Sequence, residues 1–311
     1  MEQTIAFELT NGEKKQLKIV ESQEKRAIVL IIHGMAEHIE RYARLAERFK
    51  EAGFITAGFN LAGHGEECPK ERLGMFGEKN GWDNILKDVA NARALLIKKY
   101  PGIPIIMLGH SMGSFILRCY IQKYPDALPD MLVLCGTGNI GAPTLYIAAL
   151  AARILGLFGR RNKASKTVSK MVFPQDKQAK TEFDWLTRDD KEVEKYIKDP
   201  LCGFPLTAGA YRDFFKGILI LTKEKNLAPA NPDMPVFFIA GDKDPVGKNN
   251  GVEKTAKHFR SAGYKDVSLK LYAEARHELF NELNRDSVTN DVIYWINEHL
   301  PKENSTNGDK P

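Results

Sequence analysis

The stretch Gly109-His110-Ser111-Met112-Gly113 sets one serine between two glycines, after the apolar run PIIML and before FILRCYIQKY. A buried hydroxyl without a partner costs free energy, and each glycine costs backbone entropy, so packing alone does not ask for this pattern. A strand, G-x-S-x-G and a helix in succession make a nucleophile elbow. The sharp turn strains the serine backbone and lifts its oxygen to the carboxyl edge of a sheet. The flanking glycines, Gly109 and Gly113, keep side chains from colliding with the neighbouring strand and helix, and the Met112 N–H points to the same spot. A serine hydroxyl is a poor nucleophile at neutral pH; it needs a base, and the base needs an orienting group. With this kind of elbow the acid and then the histidine follow the serine along the chain.

Three of the seven histidines follow Ser111. His258 falls inside a helical pattern, and His299 falls in the last turn of the last helix, where a cation suits the helix dipole. His277, in AEARHELFNE just after the final strand, stands at the same sheet edge as Ser111 and is the expected base. The acid is expected from the loop after VFFIA, where GDKDPVG offers Asp242 and Asp244. Asp242 directly follows Gly241 and suits bonding to the turn's own N–H groups. Asp244 reaches further into the loop and is the favoured partner of His277. An oxyanion hole needs a second N–H besides that of Met112. HGMAEH (33–38) supplies one: Gly34 allows a sharp turn and Met35 presents its N–H, the alternative being that Met35 only fills the core. No metal or organic cofactor is needed for this chemistry.

These residues need a scaffold, and the apolar patterning describes one. IAFELT and QLKIV flank Asn11-Gly12, a hairpin signal. AIVLIIH (27–33), FITAGF (54–59), PIIMLGH (104–110), MLVLC (131–135), VFFIAGDKD (236–244) and VSLKLYAEA (267–275) read as buried strands. Helical patterns fall between them at 41–53, 82–100, 111–124 and 251–263, with one more at 288–300. Such alternation predicts an α/β fold with a mostly parallel central sheet and helices on both faces. Between about 138 and 228 the alternation stops and helix and loop take over, as an inserted helical cap would. The core is therefore expected over 1–137 and 229–300, and the polar tail 301–311 is expected to be disordered.

The 311 residues carry a net charge of +5, with no dense basic block interleaved with aromatics, which argues against nucleic acid as a partner. Four cysteines without CxxC or zinc spacing read as free thiols of a reducing compartment. The N-terminus lacks a basic segment followed by an apolar one, so a cytoplasmic location is expected. GAPTLYIAALAARILGLFG (141–159) is apolar but short for a membrane span and contains Arg153; it reads as a buried or surface-lying helix.

With these residues placed, the chain resembles the α/β-hydrolase superfamily, and within it the monoacylglycerol lipase and lysophospholipase branch, which sequence families group with the S33 serine aminopeptidases. The resemblance runs from AIVLIIHGMAEH to HELFNE. It is carried by HG-x-x-EH at 33–38, GHG at 63–65, GHSMG at 109–113, G-x-x-D-P-V at 241–246 and H-E-x-x-N-E at 277–282. It implies a triad of Ser111, Asp244 and His277, oxyanion donors at Met35 and Met112, and an acyl ester or single-chain lipid as substrate. Two positions depart from the family pattern: Ala62 replaces the usual Arg before GHG, and Asn60 replaces an Asp. The 141–158 helix is what a lid over an acyl tunnel, or a peripheral membrane contact, requires. An aminopeptidase would instead need an acidic cluster for a substrate amine, for which Glu182, Asp184, Asp189 and Asp190 are candidates. A non-catalytic ligand receptor is the third reading.

Overall fold

In the computed structural model of the chain, residues 2–157, 159–172, 179–223, 228–247 and 250–301 are described. The expected tail, apart from residue 301, lies outside them. The strands are β1 (Glu2–Glu8), β2 (Lys14–Val20), β3 (Ala27–Ile32), β4 (Phe54–Gly58), β5 (Ile105–His110), β6 (Met131–Cys135), β7 (Val236–Gly241) and β8 (Val267–Tyr272). They form one sheet in the order β1-β2-β4-β3-β5-β6-β7-β8. The Asn11-Gly12 hairpin pairs β1 with β2 antiparallel, β2 meets β4 antiparallel, and all later pairs are parallel.

Strands β3 to β7 are buried on both faces, which is why their sequences are continuous apolar runs rather than alternating ones. Odd-numbered β3 side chains (Ala27, Val29, Ile31) pack with α1 (Ala43–Glu51) and α9 (Arg285–His299). The even-numbered ones (Ile28, Leu30, Ile32) pack with α2 (Gly81–Lys99), α3 (Met112–Lys123) and α8 (Gly251–Ala262). Helices therefore cover both faces, as the alternation predicts.

Between β6 and β7 the described chain runs through α4 (Ala142–Leu155), α5 (Lys166–Val172), α6 (Asp190–Lys198) and α7 (Ala208–Ile218) and adds no strand to the sheet. Helix α7 is the anchor of this segment: Phe214 packs edge-on against Trp82 of α2 and Phe115 of α3, at 5.4 and 6.0 Å between ring centroids. Helix α4 is half-sunk. Leu145, Ala149 and Ala152 are buried, whereas Tyr146, Ile147, Leu150 and Ile154 face solvent. Among the described residues no helix is long and apolar enough to cross a membrane.

Candidate active site

Ser111 joins β5 to α3 with φ +50° and ψ −117°, a backbone region that residues with a side chain rarely occupy. The surroundings hold it there. Its N–H donates to the Cys135 carbonyl at 2.9 Å, and its own carbonyl accepts from the Ser114 N–H and hydroxyl. A methyl group on Gly109 would stand 2.6 Å from the Gly113 carbonyl oxygen, and one on Gly113 only 2.0 Å from that of Ile32. Those two close approaches are the steric reason for the glycines.

The loops after β7 and β8 bring Asp244 and His277 together. His277 Nδ1–H donates to Asp244 Oδ2 at 2.9 Å, and both side chains are almost fully buried. Asp244 Oδ1 accepts the Val246 N–H at 2.8 Å, so the carboxylate is clamped within its own turn. Asp242 is directed elsewhere, towards Lys243 at 3.9 Å. The His277 ring lies 5.0 Å from that of Trp185 and 4.8 Å from that of His110. Ser111, Met35 and Met112 line one cavity with Trp185, from the stretch between β6 and β7. Among the described residues, neither the Met35 nor the Met112 N–H has a hydrogen-bond partner.

The cavity has a volume of about 760 Å³. Its wall is mostly apolar, with Phe115, Leu145, Val168, Phe214 and Phe215 among its members, and cavities of this size and character take small, largely apolar ligands. The acidic residues weighed for a peptide amine do not line it among the described residues. Asp184 accepts hydrogen bonds from Lys180 and Thr181, Asp189 caps α6 and pairs with Arg285, and Asp190 pairs with Lys180.

Behind the elbow lies a buried polar network whose roles the motifs alone do not reveal. Glu37 accepts the Gly34 N–H at 2.6 Å, His110 Nδ1–H at 2.9 Å and the Tyr42 hydroxyl at 3.0 Å; its other oxygen takes Arg41 at 2.9 Å. Arg41 reaches on to Glu278 with two bonds of 2.6 Å. Burial disfavours the charged forms, but the mutual pairing wins: His110 is raised, Glu37 is held well below the usual carboxylate range, and Glu278 is lowered. Both glutamates belong to motifs visible in the chain, HG-x-x-EH and H-E-x-x-N-E, but their meeting needs contacts across 237 residues.

Two further histidines brace the Met35 loop. His33 donates from Nδ1 to the Gly34 carbonyl and accepts the Leu61 N–H at Nε2; His64 donates from Nδ1 to the Ala62 carbonyl and accepts the Ala36 N–H. Burial brings their pKa values down to about 4 and about 3, so both remain neutral near pH 7 and keep one donor and one acceptor. Asn60 explains one departure from the family pattern. Its carbonyl accepts the Ile39 N–H, and its amide donates to Glu40 at 3.1 Å and Glu67 at 2.9 Å. An aspartate there would place a third negative charge beside two.

A mostly parallel sheet with helices on both faces, a serine at a strained strand–helix turn and an Asp–His pair on the later loops define an α/β-hydrolase. The family model for serine aminopeptidase, S33, matches residues 23–284. The chain is 28% identical to a monoacylglycerol lipase of Mycolicibacterium smegmatis over 282 residues, 89% of this chain and 90% of that protein. It is 27% identical to the human monoglyceride lipase, over 91% of this chain and 85% of that one. A solved carboxyl esterase from Bacillus coagulans, in complex with glycerol, superposes with a TM-score of 0.88 at 29% identity, covering 96% of this chain and 99% of that one. The chain belongs to the S33 serine aminopeptidase family of α/β-hydrolases, in its monoacylglycerol-lipase-like branch, and is a hydrolase of the lipase and esterase kind.

Proposed function

We propose that the protein cleaves carboxylic esters of single-chain lipids through an acyl-enzyme. Ser111 Oγ attacks the ester carbonyl carbon while His277 Nε2 takes its proton. Asp244 holds His277 in the tautomer with hydrogen on Nδ1 and steadies the imidazolium that forms. The N–H groups of Met35 and Met112 receive the negative oxygen of the tetrahedral intermediate. Collapse expels the alcohol, which leaves with the proton from His277, and a water then releases the acid by the same route. The observation that carries this reading is the Asp244–His277 pair beside an apolar cavity that contains Ser111.

The cap reading, residues 138–228, draws support from the same cavity, because α4, α5 and α7 contribute Leu145, Val168, Phe214 and Phe215 to its wall. The exposed apolar face of α4 supports a peripheral contact with a lipid surface, from which a poorly soluble substrate would enter. The test is hydrolysis of p-nitrophenyl esters of increasing chain length, 1-monoacylglycerol and an alanyl arylamide by wild type and Ser111→Ala. Turnover that rises with chain length and is lost in Ser111→Ala is expected. Ester hydrolysis retained in Ser111→Ala, or activity confined to the arylamide, would overturn the proposal.

A further inference from the structure

Beside the loop that carries Met35, three side chains converge that the hydrolase chemistry does not use. One ligand atom from each of His38, Asp199 and Cys202 lies within 4.8 Å of the other two, and none of the three residues lines the cavity that holds Ser111. His38 and Cys202 are buried and Asp199 is half-buried, which leaves a way in from solvent. Each side chain is set for ligation. Glu40 holds His38 at Nδ1, 2.6 Å away, so Nε2 is the ring atom turned to the cluster, 2.8 Å from Asp199 Oδ2. A carboxylate on the far nitrogen is the usual support of a metal-binding histidine. Asp199 Oδ1 accepts the Leu201 N–H at 2.8 Å, which fixes the carboxylate and leaves Oδ2 to the cluster. The Cys202 thiol is free, and its sulfur has no hydrogen-bond partner among the described residues. The His38–Asp199 contact by itself has no use for a thiol; a borderline-soft cation does. Arg41 acts on that thiol electrostatically, yet its own charge is met by Glu37 and Glu278.

We propose that His38 Nε2, Asp199 Oδ2 and Cys202 Sγ form a zinc site, with water as the fourth ligand, that ties the end of α6 to the loop bearing Met35. Imidazole, carboxylate and thiolate are the three ligand types zinc takes, and a tetrahedral ion separates them by about 3.4–3.6 Å, within reach of small side-chain rotations here. The cation replaces the proton on Nε2 and the proton of the thiol, and both leave to solvent. Its position gives the site a task. The Ala36 carbonyl already accepts the Gly203 N–H at 3.0 Å and the Tyr196 hydroxyl at 2.9 Å, so a metal bridge would reinforce a contact the fold makes. The His38–Asp199 contact spans 161 residues, which is why no cysteine or histidine spacing in the chain announces it.

The experiment titrates zinc into the metal-stripped full chain against a chromophoric chelator, and cobalt in parallel. Wild type is expected to bind one zinc with Kd of about 1 μM or below, to gain Tm with zinc, and to show a sulfur-to-cobalt charge-transfer band. Cys202→Ser should lose the band and the Tm gain and bind at least about 100-fold more weakly, and Glu40→Gln, which does not touch the metal, about tenfold more weakly. His277→Ala should bind zinc as wild type does. A cobalt complex without the sulfur band, or zinc affinity unmoved in Cys202→Ser, would overturn the proposal and leave an ordinary His38–Asp199 ion pair. Binding lost in His277→Ala would move the metal to the catalytic histidine and overturn it as well.

Discussion

At the scale of single residues, Asp242 and Asp244 show how two identical side chains two positions apart come to differ. Asp244 is buried, with one oxygen on the Val246 N–H and the other on His277, whereas Asp242 is partly exposed beside Lys243. Only Asp244 can fix the His277 tautomer. Asp244→Asn is therefore expected to lower kcat by about 10⁴, the size seen for the equivalent change in a serine protease, and Asp242→Asn by less than about tenfold. Steady-state kinetics on one soluble ester measures both, and the reverse ranking would refute the assignment. In the sequence Asp244 is favoured for its distance from the strand end, and the fold brings its carboxylate within 2.9 Å of His277. The Glu37–Arg41–Glu278 network was not legible there, because its members reveal a common purpose only when the first and last loops of the sheet edge meet.

At the scale of elements, His38 joins the loop after β3 to the end of α6. Nδ1–H bonds Glu40 at 2.6 Å and Nε2–H bonds Asp199 at 2.8 Å. Burial works against its charge, but the hydrogen bonds and charges of the two carboxylates prevail, and its pKa is raised. A raised folded pKa means that the folded state holds the proton more tightly than the unfolded one. The stabilisation is complete below the ordinary imidazole value of about 6.5 and is lost as pH rises through the higher folded value. Wild type should lose thermal stability across that alkaline window more steeply than His38→Ala, measured as Tm against pH. Parallel curves would show that the contact carries no proton-linked stability. The helix and strand patterns were readable because periodicity is local, although strands β7 and β8 end three residues earlier than their apolar runs suggest. The chain turns there to deliver Asp244 and His277 to the site.

At the scale of the whole molecule, α4 presents Tyr146, Ile147, Leu150 and Ile154 outward, and residues 141–172 contain six Lys or Arg and no Asp or Glu. Apolar surface with basic surroundings suits a membrane of negative charge. Leu150→Glu/Ile154→Glu is expected to reduce cosedimentation with anionic phospholipid vesicles by at least about tenfold, since each leucine-sized side chain contributes about 1.5–3 kcal/mol when buried. Unchanged binding would remove α4 from the contact.

The amino-acid sequence by itself determined the strand-to-helix turn at Ser111, the order of strands and helices, and the stretch between β6 and β7 where the alternation stops. Each depends on short-range rules: glycine sterics at 109 and 113, continuous apolar runs for doubly covered strands, and periodicity for helices. Tertiary structure alone decided which face of α4 stays exposed, which loops brace Met35, and which distant side chains wall the cavity around Ser111. Those properties depend on which distant segments share a space, and charge and burial have no meaning for a side chain until its neighbours are in place.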